Sequence, residues 1–128
     1  MSHVRVTYPP LTKAQVVQRL TEAYAGLRRR LPVTKMILYG SYAQGRHTAG
    51  SDIDVIVVYS GKQTHDAYRL IIEETKLPRL EPKVYTEEQF NSMIIGSPRF
   101  AETLEKEGIM IAGVPMRGMK WSKEAKTG

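Results

Sequence analysis

The chain has 128 residues and no cysteine, a length that suits one domain and a composition that excludes disulfides and thiolate-held metals. Apolar residues make up 41% and charged residues 25%, a balance that supports a packed core without staples and argues against a disordered chain. Lys and Arg number 19 against 13 Asp and Glu, a formal charge of +6 that favours anionic partners such as nucleotides, nucleic acid or an acidic protein.

The first residues, MSHVRVTYPP, lack the apolar stretch of a signal peptide. No segment approaches the ~20 apolar residues of a membrane span. The expected setting is therefore the cytoplasm, without a membrane partner. Thr12 with Gln15 matches a capping box, and Val16, Leu20, Tyr24, Leu27 and Leu31 follow at helical spacing. Pro32 disfavours helix in the residue before it, so the helix is expected to stop near Leu31. The triplet Arg28-Arg29-Arg30 then forms a solvated helix end.

Lys35 to Tyr39 is a short apolar strand ended by Gly40. Residues 41–50 form a polar loop that opens with one helical turn. Ile53 to Tyr59 (IDVIVVY) is rich in β-branched residues and short enough to be a core strand. Beyond the Ser60-Gly61 turn, Tyr68, Ile71, Ile72 and Thr75 suggest an amphipathic helix that Leu77-Pro78 ends. Leu80 to Tyr85 forms a third strand, which Pro82 confines to an edge or a strand start. Thr86 with Gln89 repeats the capping box and starts a short helix carrying Phe90 and Met93. Ser97-Pro98 opens a last helix that ends at Gly108, followed by a strand from Ile109 to Ala112.

The order α-β-β-α-β-α-α-β defines an α/β (α+β) fold, a small mixed sheet with helices packed against it. Residues 1–115 are read as one domain. Residues 116–128, with Arg117, Lys120, Lys123 and Lys126, form a basic, flexible tail that Trp121 can pin.

Two residues disturb the apolar pattern. Asp52 and Asp54 stand at the start of the second strand, two apart, and therefore point to the same face. Carboxylates that close repel each other, and a cation between them relieves the repulsion. An all-oxygen ligand set favours Mg²⁺ or Mn²⁺, and Mg²⁺ is usually shared between carboxylates and substrate phosphates. Gly40-Ser41, at the foot of the preceding loop, offers a close backbone approach, free amides and a hydroxyl. Gly45 adds backbone freedom and Arg46 a fixed positive charge. For Arg46 the competing reading is a solvated loop arginine.

The run GSYAQGRHTAGSDIDVIVV resembles the signature of the minimal nucleotidyltransferases, small members of the DNA polymerase beta-like superfamily. Gly40, Ser41, Ala43, Gly45, Ser51, Asp52 and Asp54 all fall in that pattern. The element order of residues 12–112 is compatible with the same fold. The resemblance implies transfer of a nucleoside monophosphate, AMP from ATP, onto an acceptor hydroxyl with release of pyrophosphate. It implies that Asp52 and Asp54 hold two Mg²⁺ ions, for which Mn²⁺ can substitute. Gly40, Ser41, Gly45, Arg46 and Ser51 would then hold the nucleotide and its phosphates.

Family members carry a third carboxylate on a later strand, and Glu81 is the candidate for catalysis and metal binding here. The family more often has aspartate there, and an edge-strand charge facing solvent is the competing reading. A second departure is Gln44, where many relatives have a basic residue; Arg46 would supply that charge instead. Lys83 lies near enough in sequence to approach a phosphate, and His47 to touch one from the loop, although an edge lysine and a solvated histidine are the simpler accounts. Tyr39, Tyr42, Tyr59 and Tyr68 can stack on a base, yet aromatics near a sheet usually belong to the core.

The chain resembles in particular the antitoxins paired with proteins of the HEPN type, which implies a partner protein that supplies the acceptor hydroxyl. The alternative is a catalytically weak or inactive member acting as a protein-binding or nucleotide-binding module. Nucleic-acid binding through the basic tail ranks last, since no aromatic-basic stripe supports it.

Overall fold

The computed structural model describes residues 11–114 and the strand pair 120–121. Helix α1 (Lys13–Leu27) leads into strand β1 (Val33–Tyr39) and the single-turn helix α2 (Gly40–Gln44). Strand β2 (Ile53–Tyr59), helix α3 (Ala67–Thr75) and strand β3 (Leu80–Thr86) follow. Helices α4 (Glu87–Gly96) and α5 (Pro98–Glu107), strand β4 (Ile109–Gly113) and the two-residue strand β5 (Lys120–Trp121) complete the order. The expected α-β-β-α-β-α-α-β sequence of elements is present, extended by α2 and β5.

Both capping boxes form. Thr12 accepts from the Gln15 amide at 3.0 Å while its own amide donates to Gln15 Oε1 at 2.8 Å. Thr86 and Gln89 repeat the exchange at 3.1 and 2.9 Å. Each satisfies amides that the first helical turn leaves without partners. Helix α1 stops at Leu27, one turn before the expected end at Leu31. The amides of Arg28 to Leu31 still reach back to carbonyls three or four residues earlier, so the chain tightens into turns before Pro32. Within the arginine triplet, Arg30 is no free helix end. Its guanidinium donates to Glu73 at 3.0 Å and Glu74 at 3.1 Å, tying the end of α1 to α3.

The sheet runs β3-β2-β1-β4-β5. The β1–β2 and β1–β4 pairs are antiparallel, and β2–β3 and β4–β5 are parallel. A parallel pair cannot close with a tight turn, and α3 is the crossover that joins β2 to β3. The position of Pro82 is explained at once: β3 is an edge strand with one partner, where a missing N–H costs no ladder bond on the open side.

Side-chain alternation splits the core between two faces. Met36, Leu38, Val55, Val57 and Ile111 pack under α1 and α3 with Val16, Leu20, Leu27 and Ile71. Ile37, Ile56, Val58 and Met110 pack on the other face with Phe90 of α4 and Leu104 of α5. Helix α3 turns Ala67, Leu70, Ile71 and Thr75 inward, so Tyr68 and Ile72 stand exposed rather than in the expected apolar stripe. Leu70 and Ala67 fit the same helical period with a slightly rotated face. Gly108 ends α5 as expected, but with extended backbone at φ −77° rather than a left-handed cap. Extended geometry lets the chain run directly into β4.

Most of the basic C-terminal segment, with Arg117, Lys123 and Lys126, lies outside the described residues, as does His3. Within that segment, Lys120–Trp121 pairs in parallel with Ile109–Met110. No helix among the described residues is long and apolar enough to cross a membrane.

Candidate active site

Asp54 is the second residue of β2, and the ladder fixes it from both sides. Tyr39 is its antiparallel partner on β1, and Glu81 is its parallel partner on β3. Residues paired this way project to the same face, so Asp54, Glu81 and Tyr39 gather where β1 ends and β2 begins. Asp52 precedes the strand by one residue and is exposed. The face is the one covered farther along by α4 and α5, where Ile56 and Val58 lie beneath Phe90. The carboxylates therefore border a hydrophobic cluster that stops short of them.

The electrostatics follow from this grouping. Burial, then the charges of Asp52 and of Glu81, push the Asp54 carboxyl above its usual range, and Lys83 pulls it partly back. Burial first and the Asp54 charge second push the Tyr39 hydroxyl up to about 12, so Tyr39 stays neutral beside the carboxylates. Its ring is steadied by an edge-on contact with Phe100, centroids 6.0 Å apart. Lys83, two residues beyond Glu81 on the same face, supplies the nearby positive charge.

Gly40 lies against Asp54 and accounts for the glycine of the loop. Its backbone is left-handed at φ +76°, and a Cβ there would press on the Asp54 carboxylate, with Cγ only 3.2 Å away. Helix α2 then turns through Ser41, Tyr42 and Ala43 without a side-chain cap on its first amides. Gly45 closes it at φ +72°, and the Arg46 amide donates to the Ser41 carbonyl at 2.9 Å. The expected single helical turn is α2.

Other loop residues have local partners. Ser51 Oγ accepts from the Thr48 amide at 2.8 Å, and the Ser51 amide donates to the Thr48 carbonyl at 3.1 Å. Gln44 points to α5, its amide donating to Glu107 at 2.9 Å, and Arg46 is exposed. His47 stacks on Tyr42, the rings 3.9 Å apart and 9° from parallel, with Nδ1 buried and without a hydrogen-bond partner. Tyr42 and Tyr59 are core residues, and Tyr68 projects from α3.

Among the described residues, no three His, Cys, Asp or Glu side chains form a preformed metal cage. Glu81 shares the register and the field of Asp54 without closing such a cage. The donor set nevertheless fits a hard divalent cation. It is all oxygen, burial and the charges of Asp52 and Glu81 raise the proton affinity of Asp54, and Mg²⁺ commonly completes its shell with phosphate oxygens and water. A cavity of about 700 Å³ lies on the opposite side of the loop, lined by Arg19, Tyr42, Ser51, Ile53, Lys76 and Arg79 among others; it contains none of the three carboxylates.

Sequence reasoning missed Tyr39 as the neighbour of Asp54. Antiparallel pairing of two consecutive strands would have brought it there, since the end of the first faces the start of the second.

The fold has solved relatives of similar size. A proposed nucleotidyltransferase from Sulfolobus solfataricus superposes with TM-score 0.53 at 15% identity, covering 87% of this chain and 89% of that one. A toxin–antitoxin structure with AMP-PNP gives TM-score 0.51 at 18% identity, with 73% of each chain covered. A mutant of the toxin–antitoxin MntA-HpeT gives 0.51 at 15% identity, with 77% of each covered. No curated protein sequence matches. The nucleotidyltransferase domain family matches over residues 20–111, a span that begins inside α1 and includes every carboxylate of the site, and the chain belongs to that family.

Proposed function

We propose that this nucleotidyltransferase is Mg²⁺-dependent and moves AMP from ATP onto a hydroxyl of a partner protein, acting as the antitoxin of a HEPN-type toxin. One observation carries the reading: Asp54, Asp52 and Glu81 share one field beside the Gly40 turn. That arrangement suits a triphosphate placed against the loop with its charge facing the carboxylates through cations. The toxin–antitoxin neighbours, one of them with AMP-PNP, support both the nucleotide and a protein partner. The cytoplasm is the proposed setting, which a chain without cysteine suits.

In the reaction, the acceptor oxygen bonds to the α-phosphorus, the bond from that phosphorus to the bridging oxygen breaks, and pyrophosphate leaves. The hydroxyl proton passes to a carboxylate of the site, the role proposed for Glu81. Held by Asp52, Asp54 and Glu81, divalent ions would neutralise phosphate charge and lower the pKa of the attacking hydroxyl. Gly40, Ser41, Gly45, Arg46 and Ser51 are the proposed phosphate-side residues. Lys83, on the sheet face of Glu81, is placed to offset the charge that the carboxylates concentrate.

The test incubates the protein with ³²P-labelled ATP, Mg²⁺ and a HEPN-type partner, beside an Asp52→Asn, Asp54→Asn double variant. Label on the partner that the double variant abolishes supports transfer. Mg²⁺-dependent binding of ATP with no label on any acceptor identifies a binding module instead and removes the catalytic reading.

A further inference from the structure

The two aspartates are held in place by very different means. Asp54 sits inside the ladder between Tyr39 and Glu81. Asp52 sits outside it, in the irregular stretch between the 48–51 turn and the first ladder residue, Ile53. That turn is closed internally by Thr48 and Ser51, and such local bonds do not fix its position relative to the sheet.

Among the described residues, Arg79 anchors it there. The Arg79 guanidinium donates to the Gly50 carbonyl at 2.8 Å, and the Arg79 carbonyl accepts from the Ile53 amide at 2.8 Å. The two bonds bracket Ser51 and Asp52. Arg79 also has a left-handed backbone, φ 60°, a conformation that costs a non-glycine residue energy. A residue chosen only for the turn would be glycine or asparagine. The side chain at this position therefore has a use of its own.

We propose that Arg79 is a positioning residue for Asp52: it latches the 48–51 turn onto the entrance of β3 and so fixes the loop-borne metal ligand relative to the sheet-borne one. The inference rests on the reading of Asp52 and Asp54 as metal ligands. Arg79 touches neither the metal nor the nucleotide in this role. It narrows the range of positions of Asp52, and a ligand held in fewer positions loses less freedom on binding.

Arg79→Gly provides a clean test. It keeps the carbonyl that Ile53 uses, relieves the left-handed backbone and removes the whole side chain, the guanidinium that bonds Gly50 included. The thermal midpoint is expected to hold or rise, while amide exchange of the 48–52 segment accelerates. Mn²⁺ affinity, read by electron paramagnetic resonance of free Mn²⁺ in the presence of AMP-PNP, is expected to fall about fivefold to tenfold, the loss of about one hydrogen bond's ordering. Arg79→Lys, which keeps a donor on a shorter head, should fall between. In an Asp52→Asn background Arg79→Gly should change Mn²⁺ affinity no further, because residues acting as one unit are not additive. Exchange and Mn²⁺ binding equal to the parent's, or full additivity with Asp52→Asn, would overturn the latch while leaving the metal site intact. Mn²⁺ binding by the parent that Asp52→Asn and Asp54→Asn leave unchanged would instead remove the metal-site reading and the latch with it.

Discussion

Replacing Gly40 with alanine separates two costs that a glycine can hide. Gly40 and Gly45 bound the same short helix and share nearly the same left-handed backbone, φ +76° and +72°. At Gly45 an added Cβ meets nothing within 4 Å, whereas at Gly40 it meets the Asp54 carboxylate, with Cγ at 3.2 Å and Cβ at 3.4 Å. Gly45→Ala should therefore cost only the backbone term, about 1–2 kcal/mol, reduced by up to about 1 kcal/mol because alanine is stiffer in the unfolded chain.

Gly40→Ala adds the collision. The carboxylate end can rotate away, so the added cost belongs at the low end of overpacking, about 1–2 kcal/mol, and the total reaches about 1–4 kcal/mol. Urea unfolding of the two variants beside the parent measures both. The same displacement moves a proposed metal ligand, so Gly40→Ala should also weaken Mn²⁺ binding where Gly45→Ala does not. Equal stability losses in the two variants would refute the claim that the side chain of Asp54 is what requires glycine at position 40.

Two further outcomes follow from the charges. The Asp54 carboxyl holds its proton more tightly in the folded protein, through burial and the charges of Asp52 and Glu81, than its unfolded value of about 3.9. Its ionisation therefore costs stability as pH rises from that value through the folded one, and the cost is absent below both. Asp54→Asn in EDTA should raise the thermal midpoint near pH 7, by roughly 2 °C for a solvent-screened cost on the order of 0.5 kcal/mol, and leave it unchanged near pH 3; a lowered midpoint at pH 7 would contradict this. Gln44 is turned toward Glu107, so Gln44→Arg should pair with that carboxylate and change AMP-PNP affinity by less than about twofold, measured by calorimetry. A tenfold gain would mean that position 44 faces the phosphates.

The parts of this protein that were legible in its sequence are those governed by local chemistry. Thr12 with Gln15 and Thr86 with Gln89 marked two helix starts because a capping box needs only four residues. Ile53 to Tyr59 was recognisable as a core strand from its β-branched run, and its bounds are those of β2. A common face for Asp52 and Asp54 was expected from strand alternation, but β2 begins at Ile53, so Asp54 alone lies in the strand and Asp52 precedes it. What was not legible depends on residues far apart in the chain. Leu27 ends α1 early where Arg30 reaches Glu73 and Glu74, more than forty residues on. The inward face of α3 is set by packing against α1, which rotates Tyr68 and Ile72 outward. Tyr39 became part of the site through a register, and Arg79 through a turn whose left-handed backbone no propensity would assign to arginine.

The site also divides its rigidity unevenly. The backbone of Asp54, with β-ladder partners on both sides, cannot move without disturbing the sheet. Asp52 is carried on a loop whose described tie to β3 is a side chain and a carbonyl of one residue. Like charges placed on one rigid and one adjustable support can separate when no cation is present and close when one arrives. That freedom limits the repulsion stored in the metal-free protein, and it also means that binding of the proposed metal would have to order the loop. The latch sets how much ordering remains to be done. An enzyme with Asp52 built into the ladder would bind its ions more tightly at the expense of stability without them. This chain places the compromise at Arg79, on a bond that solvent can reach, where a single substitution would shift it.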